Sequence, residues 1–403
     1  MNNDIICCLV FQRVYFVFHL INFKTMTFFF VVAIFSLVIG MGAIFTLVEK
    51  FPIRLLYYHY HYRKPLIWSI FIVSIIYVGF VSLDGFHIKA IISLLIIGLS
   101  VILTYKVHQS NWFRAVYFPK MTSVLDSLPL SDDQEIALIE YEGVVKAYPL
   151  SYVIHHHIVN DSFKDKTVAL TYCAMCRSII PFDVTDIGPL FVASFKNANM
   201  IVADKKTGTF FQQASLKSVI GELHPLSLKM ITFQILPWGT VKNLNSKLQV
   251  AVVTKKDLRP FNLPMPGVWK KVMSSELTPG LSNKDKTFPS KTHVIGIIDS
   301  SINESVFYLK SEILQQETVR NENLDFTLIS TGNTVSVFRT KGINLSLKNN
   351  QVMEDSATKT CWDIRGKYIE GSLNKDLKII SISDEYWFSW KKFHPKSILL
   401  RLN

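Results

Sequence analysis

Three long stretches with almost no ionised side chain dominate the first quarter of this chain and fix its physical class. Residues 28–48 and 66–83 carry no charge, and 88–105 carries only Lys89 at its edge. At about 1.5 Å of rise per residue, runs of about 18–21 residues cover a hydrocarbon core of roughly 30 Å. Lipid offers no hydrogen-bond partner, so the backbone of such runs must bond internally, which predicts three transmembrane helices over 28–105. The overall hydrophobic content of 49% reflects this concentration, because the excess lies almost wholly before Lys106.

Residues 1–27 are less regular. Arg13 sits in the middle of an apolar run, where it would cost about 2.5–3.5 kcal/mol at a bilayer centre. The segment reads as interfacial, as a fourth span, or as sequence upstream of a later start at Met26; no small-residue cleavage site follows it. Loop charge gives the orientation. Lys50, Arg54, Arg63 and Lys64 lie between the first two runs, whereas only Asp84 lies between the second and third. The positive-inside rule then places the chain after Tyr105 in the cytoplasm, with a periplasmic placement as the alternative.

The net charge of +12 is spread over scattered lysines and forms no stripe interleaved with aromatics. A basic face near anionic lipid headgroups accounts for it, and nucleic acid is not an expected partner. The bilayer is one partner; an unidentified protein or small molecule is the other.

After a connector over 106–134 the texture changes to short β-rich runs broken by turn residues. Residues 135–148 (EIALIEYEGVVKAY) predict a hairpin around Glu142-Gly143, followed by a short helix over 150–159. The pattern then recurs. YPLSYVIHHHIVND at 148–161 is echoed by YLKSEILQQETVRN at 308–321, and IIPFDV at 179–184 by VSVFRT at 335–340. The same order continues with DKKTGTFF at 204–211 against DSATKTCW at 355–362. This predicts an α+β, β-rich soluble region built by internal duplication, with repeats over 135–255 and 292–403 joined by a linker over 256–291.

Chemistry-bearing residues are confined to the first repeat. Cys173-Ala174-Met175-Cys176 follows a predicted strand, and His155-His156-His157 precedes it; the second repeat has neither. Two thiols at this spacing can cycle through a disulfide. They can also hold a soft or borderline transition metal completed by an imidazole such as His156. Buried structural thiols are the third alternative. Asp161 is a candidate to orient a histidine or to take part in catalysis, and also a turn-forming residue. Five cysteines, with Cys7 and Cys8 in the apolar N-terminus and Cys361 alone, do not make a disulfide framework.

The stretch AYPLSYVIHHHIVND, the VALTYCAMCRS box, ADKKTGTFFQQ and the distal WFSWKKFHP resemble the domain of unknown function 3179 family, over about 136–400. The resemblance implies that His156, Asn160, Asp161, Cys173 and Cys176 occupy the family's signature positions. Three positions depart from its pattern: His157 stands for a Glu, Arg177 for the Gly after the second Cys, and Phe211 for a Trp. No activity comes with the resemblance. Two function classes therefore stay open: a membrane-tethered thiol-redox or metal-handling site at Cys173, Cys176 and His156, and a non-catalytic binding or scaffolding module.

Overall fold

A computed structural model describes residues 25–84, 87–125, 128–244, 247–254, 257, 267, 271–272, 274–282, 285–299, 302, 304–349 and 351–402. The expectations for Arg13, Cys7 and Cys8, and for most of 256–270, lie outside these residues. The chain divides into a helical unit that ends at Asn111 and a strand-rich unit from Trp112 onward, which also takes in Leu47–Lys50.

In the helical unit, three helices are long and apolar enough to cross a membrane: Thr25–Leu47, Ile53–Val81 and Ile88–Lys106. Their side chains are distributed inside out relative to a water-soluble bundle. Phe35, Val73, Ile76, Phe80 and Leu95 are exposed, whereas Ser36, Ser74, Ser93, Ser100 and Thr104 are buried. In lipid, small and hydroxylated residues let helices approach closely while large apolar ones face the acyl chains. Ser36 Oγ meets Ser100 Oγ at 2.9 Å, and a side chain at Gly40 would strike the Ser100 carbonyl. The middle helix begins well before the apolar run at Leu66. Arg54, Arg63 and Lys64, expected in a loop, ride its first turns, and Pro65 lies within it.

Among the described residues, the strand-rich unit holds six small sheets. Glu135–Tyr141 and Val144–Pro149 form the expected hairpin, with Glu142 and Gly143 both at positive φ in its tip. Gln234–Pro237 adds antiparallel to one edge and Gln249–Ala251 parallel to the other. Next come two antiparallel meanders. One runs Ile158–Phe163, Lys166–Cys173, Ser178–Asp183, Lys229–Met230, with Val116–Tyr117 added parallel beside Ile158–Phe163; the other runs Leu190–Lys196, Asn199–Asp204, Phe210–Gln212, Ser218–Ile220.

Three further sheets follow. His293–Ile298 and Val306–Leu309 pair as a hairpin flanked by antiparallel Ser381–Tyr386 and parallel Ile398–Leu399. Thr318–Asn321, Phe326–Thr331, Thr334–Arg339 and Lys378–Ile379 form one meander. Leu345–Asn349, Val352–Asp355, Cys361–Asp363 and Tyr368–Glu370 form the other. Alternating apolar residues from these short strands bury against one another across the whole unit: Ile136, Leu138 and Leu236 share a core with Ile329, Phe338 and Trp362. Another core joins Cys173, Cys176, Phe182, Met200 and Phe211 to Phe388, from the far end of the chain.

Candidate functional site

The two cysteines frame a hairpin turn. Lys166–Cys173 and Ser178–Asp183 run antiparallel, with Cys173 opposite Ser178, so Ala174 to Arg177 make the reversal. Arg177 closes the turn at φ +61°. An L-residue pays for that conformation where glycine would not. Here the Arg177 guanidinium meets Glu135 at 3.1 Å and Asp384 at 3.7 Å, contacts that a glycine could not make.

Both thiols are buried and free, Cys173 1% exposed and Cys176 0%. They differ in their surroundings. Asn199 Nδ2 approaches Cys176 Sγ at 3.1 Å, and Ser178 Oγ at 3.2 Å. Gln213 holds both groups in place: its Oε1 accepts from Ser178 Oγ at 2.7 Å and from Asn199 Nδ2 at 3.0 Å. Gln213 Nε2 in turn bonds Thr171 Oγ1 at 3.1 Å and the Ser178 carbonyl at 3.2 Å. Asn199 Oδ1 is fixed by Gln212 Nε2 at 2.6 Å and Ala214 N at 3.1 Å. The single hydroxyl proton of Ser178 goes to Gln213 Oε1, so in its 3.2 Å contact with Cys176 the Ser178 oxygen is placed to accept from the thiol, and Asn199 Nδ2 is the side-chain donor to the sulfur.

Burial alone would raise the pKa of Cys176. Hydrogen bonds from Cys173, Ser178 and Asn199 outweigh it and bring the thiol down to about 6. Cys173 moves the other way, raised by burial and by its neighbour's developing charge. The two thiols are thus shifted in opposite directions by their surroundings.

A third titratable group completes the site. Tyr386 N donates to the Cys176 carbonyl at 2.9 Å, which brings Glu385 beside the thiols. Glu385 is buried, accepts from Ser383 Oγ at 2.8 Å, and is raised to about 8 by burial and by the charge of Cys176. Burial and the neighbouring sulfur thus act on the carboxyl in the direction that favours its protonated form. Next to Glu385, Asp384 is buried in an ion pair with Lys310 at 2.5 Å and faces Arg177.

The remaining sequence-derived candidates lie elsewhere. Asp161 is buried against Lys146 Nζ at 2.9 Å and Tyr148 Oη at 2.7 Å, a closed ion pair. Asn160 bonds both the amide and the carbonyl of Leu190, at 2.8 and 2.9 Å, stitching one meander to the next. His156 is turned to Asp257, its Nε2 2.9 Å from Oδ1. His157, at φ +60° past the helix Leu150–His156, is buried edge-on to Phe113 with Nδ1 3.0 Å from the Tyr172 carbonyl. Burial lowers its pKa to about 4, so it is a neutral core residue.

Sequence reasoning therefore brought Cys173 and Cys176 into focus and missed Asn199, Gln213 and Glu385. The one signal for Gln213 was the Gln-Gln pair after Phe211, two amides at the end of an apolar strand. Glu385 lay hidden in a stretch read as closing aromatic core.

Neither a curated protein nor a solved structure matches the chain. Residues 112–397, which hold every residue of the site just described, match the family described as "Protein of unknown function (DUF3179)", and the chain belongs to that family.

Proposed function

We propose that this chain is a multi-pass membrane protein whose strand-rich unit carries a thiol–disulfide redox site. Cys176 is the attacking thiolate, Cys173 the resolving thiol, and Glu385 the local proton store. The observation that carries the reading is the Cys176 sulfur 3.1 Å from Asn199 Nδ2, in a CxxC turn tied through its carbonyl to the strand that carries the buried Glu385. A thiolate near ambient pKa is the effective attacking species in exchange.

The reaction balances with a low-molecular-weight disulfide as oxidant. Cys176 sulfur attacks one sulfur of that disulfide and forms a mixed disulfide; the released thiolate takes the Glu385 proton. The Glu385 carboxylate then removes the proton of Cys173. The Cys173 thiolate attacks Cys176, closes the intramolecular disulfide and expels the second thiolate, which is protonated from water. Two electrons pass from the protein dithiol to the small disulfide.

The sealed state of both sulfurs favours a second reading, a membrane-bound binding module with core thiols. One experiment separates them. The solubilised full chain is equilibrated with reduced and oxidised glutathione, trapped with iodoacetamide and mapped by mass spectrometry. A Cys173–Cys176 disulfide that forms reversibly supports the redox site. Thiols that neither oxidise nor alkylate until the protein unfolds leave the binding module.

The same proposal includes an internal duplication. Its support is that both sets of sheets contain an edge-flanked hairpin with one parallel addition and two antiparallel meanders, the first set carrying two further edge strands, Val116–Tyr117 and Met121–Thr122. Local detail repeats as well. Thr209 Oγ1 accepts from Leu223 N, and Thr360 Oγ1 from Leu373 N. Asp204 binds Thr207 as Asp355 binds Thr358. The cytoplasmic placement of the strand-rich unit rests on Arg54, Arg63 and Lys64 at one end of the middle helix, and a reporter fused after residue 403 tests it.

A further inference from the structure

Away from the thiols, three other side chains with metal-binding chemistry converge. His155 and His156 close the helix Leu150–His156, and Asp257 arrives from a distant part of the chain. One donor atom from each lies within 4.8 Å of the other two, and all three residues are half-buried. His156 Nε2 and Asp257 Oδ1 are 2.9 Å apart, and the His155 and His156 rings meet edge to face at 4.8 Å.

The surroundings hold these donors in position. The second oxygen of Asp257 accepts from Thr254 N at 2.8 Å and Thr254 Oγ1 at 2.6 Å, which turns Oδ1 toward the histidines. The Arg114 carbonyl accepts a hydrogen bond from the His156 ring, and Tyr152 packs edge-on against that ring at 4.7 Å. Metal-binding imidazoles and carboxylates are characteristically oriented by such outer hydrogen bonds.

We propose that His155, His156 and Asp257 form a site for a divalent transition-metal ion, held by two imidazoles and one carboxylate. The donor set decides the class: imidazole nitrogen selects zinc-like first-row ions over magnesium or calcium, and the lack of thiolate disfavours copper(I). Around a tetrahedral ion two donors each about 2.1 Å away stand about 3.4 Å apart, so His156 Nε2 and Asp257 Oδ1, now 2.9 Å apart, need open by only about half an ångström to take one. Three protein donors leave positions for water or a substrate oxygen, the arrangement of a reactive rather than a purely structural site. The site shares no residue with the thiol centre and does not depend on the redox reading.

The test uses the solubilised full chain, stripped with chelator and titrated with Co²⁺, whose visible absorption reports nitrogen and oxygen ligation. One Co²⁺ should bind per chain and be displaced by Zn²⁺. His155→Ala, His156→Ala and the isosteric Asp257→Asn should each weaken binding at least tenfold, and Thr254→Val by about tenfold through the loosened carboxylate. Cys173→Ser/Cys176→Ser should bind as the parent does. Zn²⁺ should raise the unfolding temperature of the parent and not that of Asp257→Asn, a readout that also registers whether the variant is folded. Undiminished Co²⁺ binding by folded Asp257→Asn would reduce the cluster to a His–Asp hydrogen bond and overturn the proposal. Loss of binding in the double cysteine variant alone would overturn it too, by assigning the ion to the thiols.

Discussion

Asn199 Nδ2 lies 3.1 Å from Cys176 Sγ, and this contact gives the second cysteine a different chemistry from the first. A hydrogen bond to a charged acceptor is worth about 1.5–3 kcal/mol, or about one to two pKa units. Asn199→Ala should therefore raise the pKa of Cys176 from about 6 by that amount. Thiolate absorbance or the pH dependence of alkylation measures it. An unchanged profile would remove Asn199 from the site.

The proton divided between Glu385 and Cys176 should be visible in stability. Glu385 titrates at about 8 in the folded chain against 4.5 in an open one, so its contribution falls as pH rises through that interval. Cys176 titrates at about 6 against 9.0, so its contribution is full above 9 and lost as pH falls through 6. Together they predict stability that falls from about pH 4.5 to 6, stays level to about 8, and rises toward 9. Glu385→Gln should abolish the falling limb and leave only the rise. Denaturant midpoints across this range are the measurement.

Lys146 and Asp161 should behave as a buried pair. Lys146→Met strands a carboxylate and is expected to cost roughly 3–5 kcal/mol, whereas Lys146→Met with Asp161→Leu should cost much less. Asp161→Asn should leave the alkylation rate of Cys176 as it is in the parent. A changed rate would return Asp161 to the catalytic role considered from the sequence.

Gly221 and Gly371 offer a test of the duplicated plan. They sit at φ +125° and +115°, and a β-carbon at Gly221 would stand 2.6 Å from Thr209 Cα. One at Gly371 would press on Thr360 in the same way. Alanine at either position should destabilise by at least about 1–3 kcal/mol, from backbone strain and overpacking. Similar losses at both positions are expected from thermal unfolding.

The sequence displayed what is local. Uncharged runs marked the apolar helices because a bilayer penalises each charge separately, and Glu142-Gly143 marked a hairpin because its turn needs positive φ. The start of the middle helix at Ile53 was illegible, since Arg54, His59 and Arg63 read as loop until their partners are known. Arg63 bonds Ser110 Oγ at 3.2 Å, a contact far along the chain. The site was half legible for the same reason. Cys173 and Cys176 are neighbours in a turn, but Asn199 and Glu385 reach them from separate strands and Gln213 from the turn after a third. Asp257 likewise meets His156 only through tertiary folding. A polar residue on a buried strand looks like any surface residue until its partner is located.

The bond from the Tyr386 amide to the Cys176 carbonyl also sets an order of events in the cell. The turn that carries the cysteines leaves the ribosome long before the strand that brings Glu385 to it. During that interval the nascent chain presents two thiols with no neighbouring acid and no cover from Phe388, and any oxidant or metal in the compartment can reach them. Closure of the last strand is thus the step that seals the two cysteines under Phe388 and, on the redox reading proposed above, gives them their acidic neighbour. Quality control acting on unfinished chains meets a chemically different protein from the one that is released.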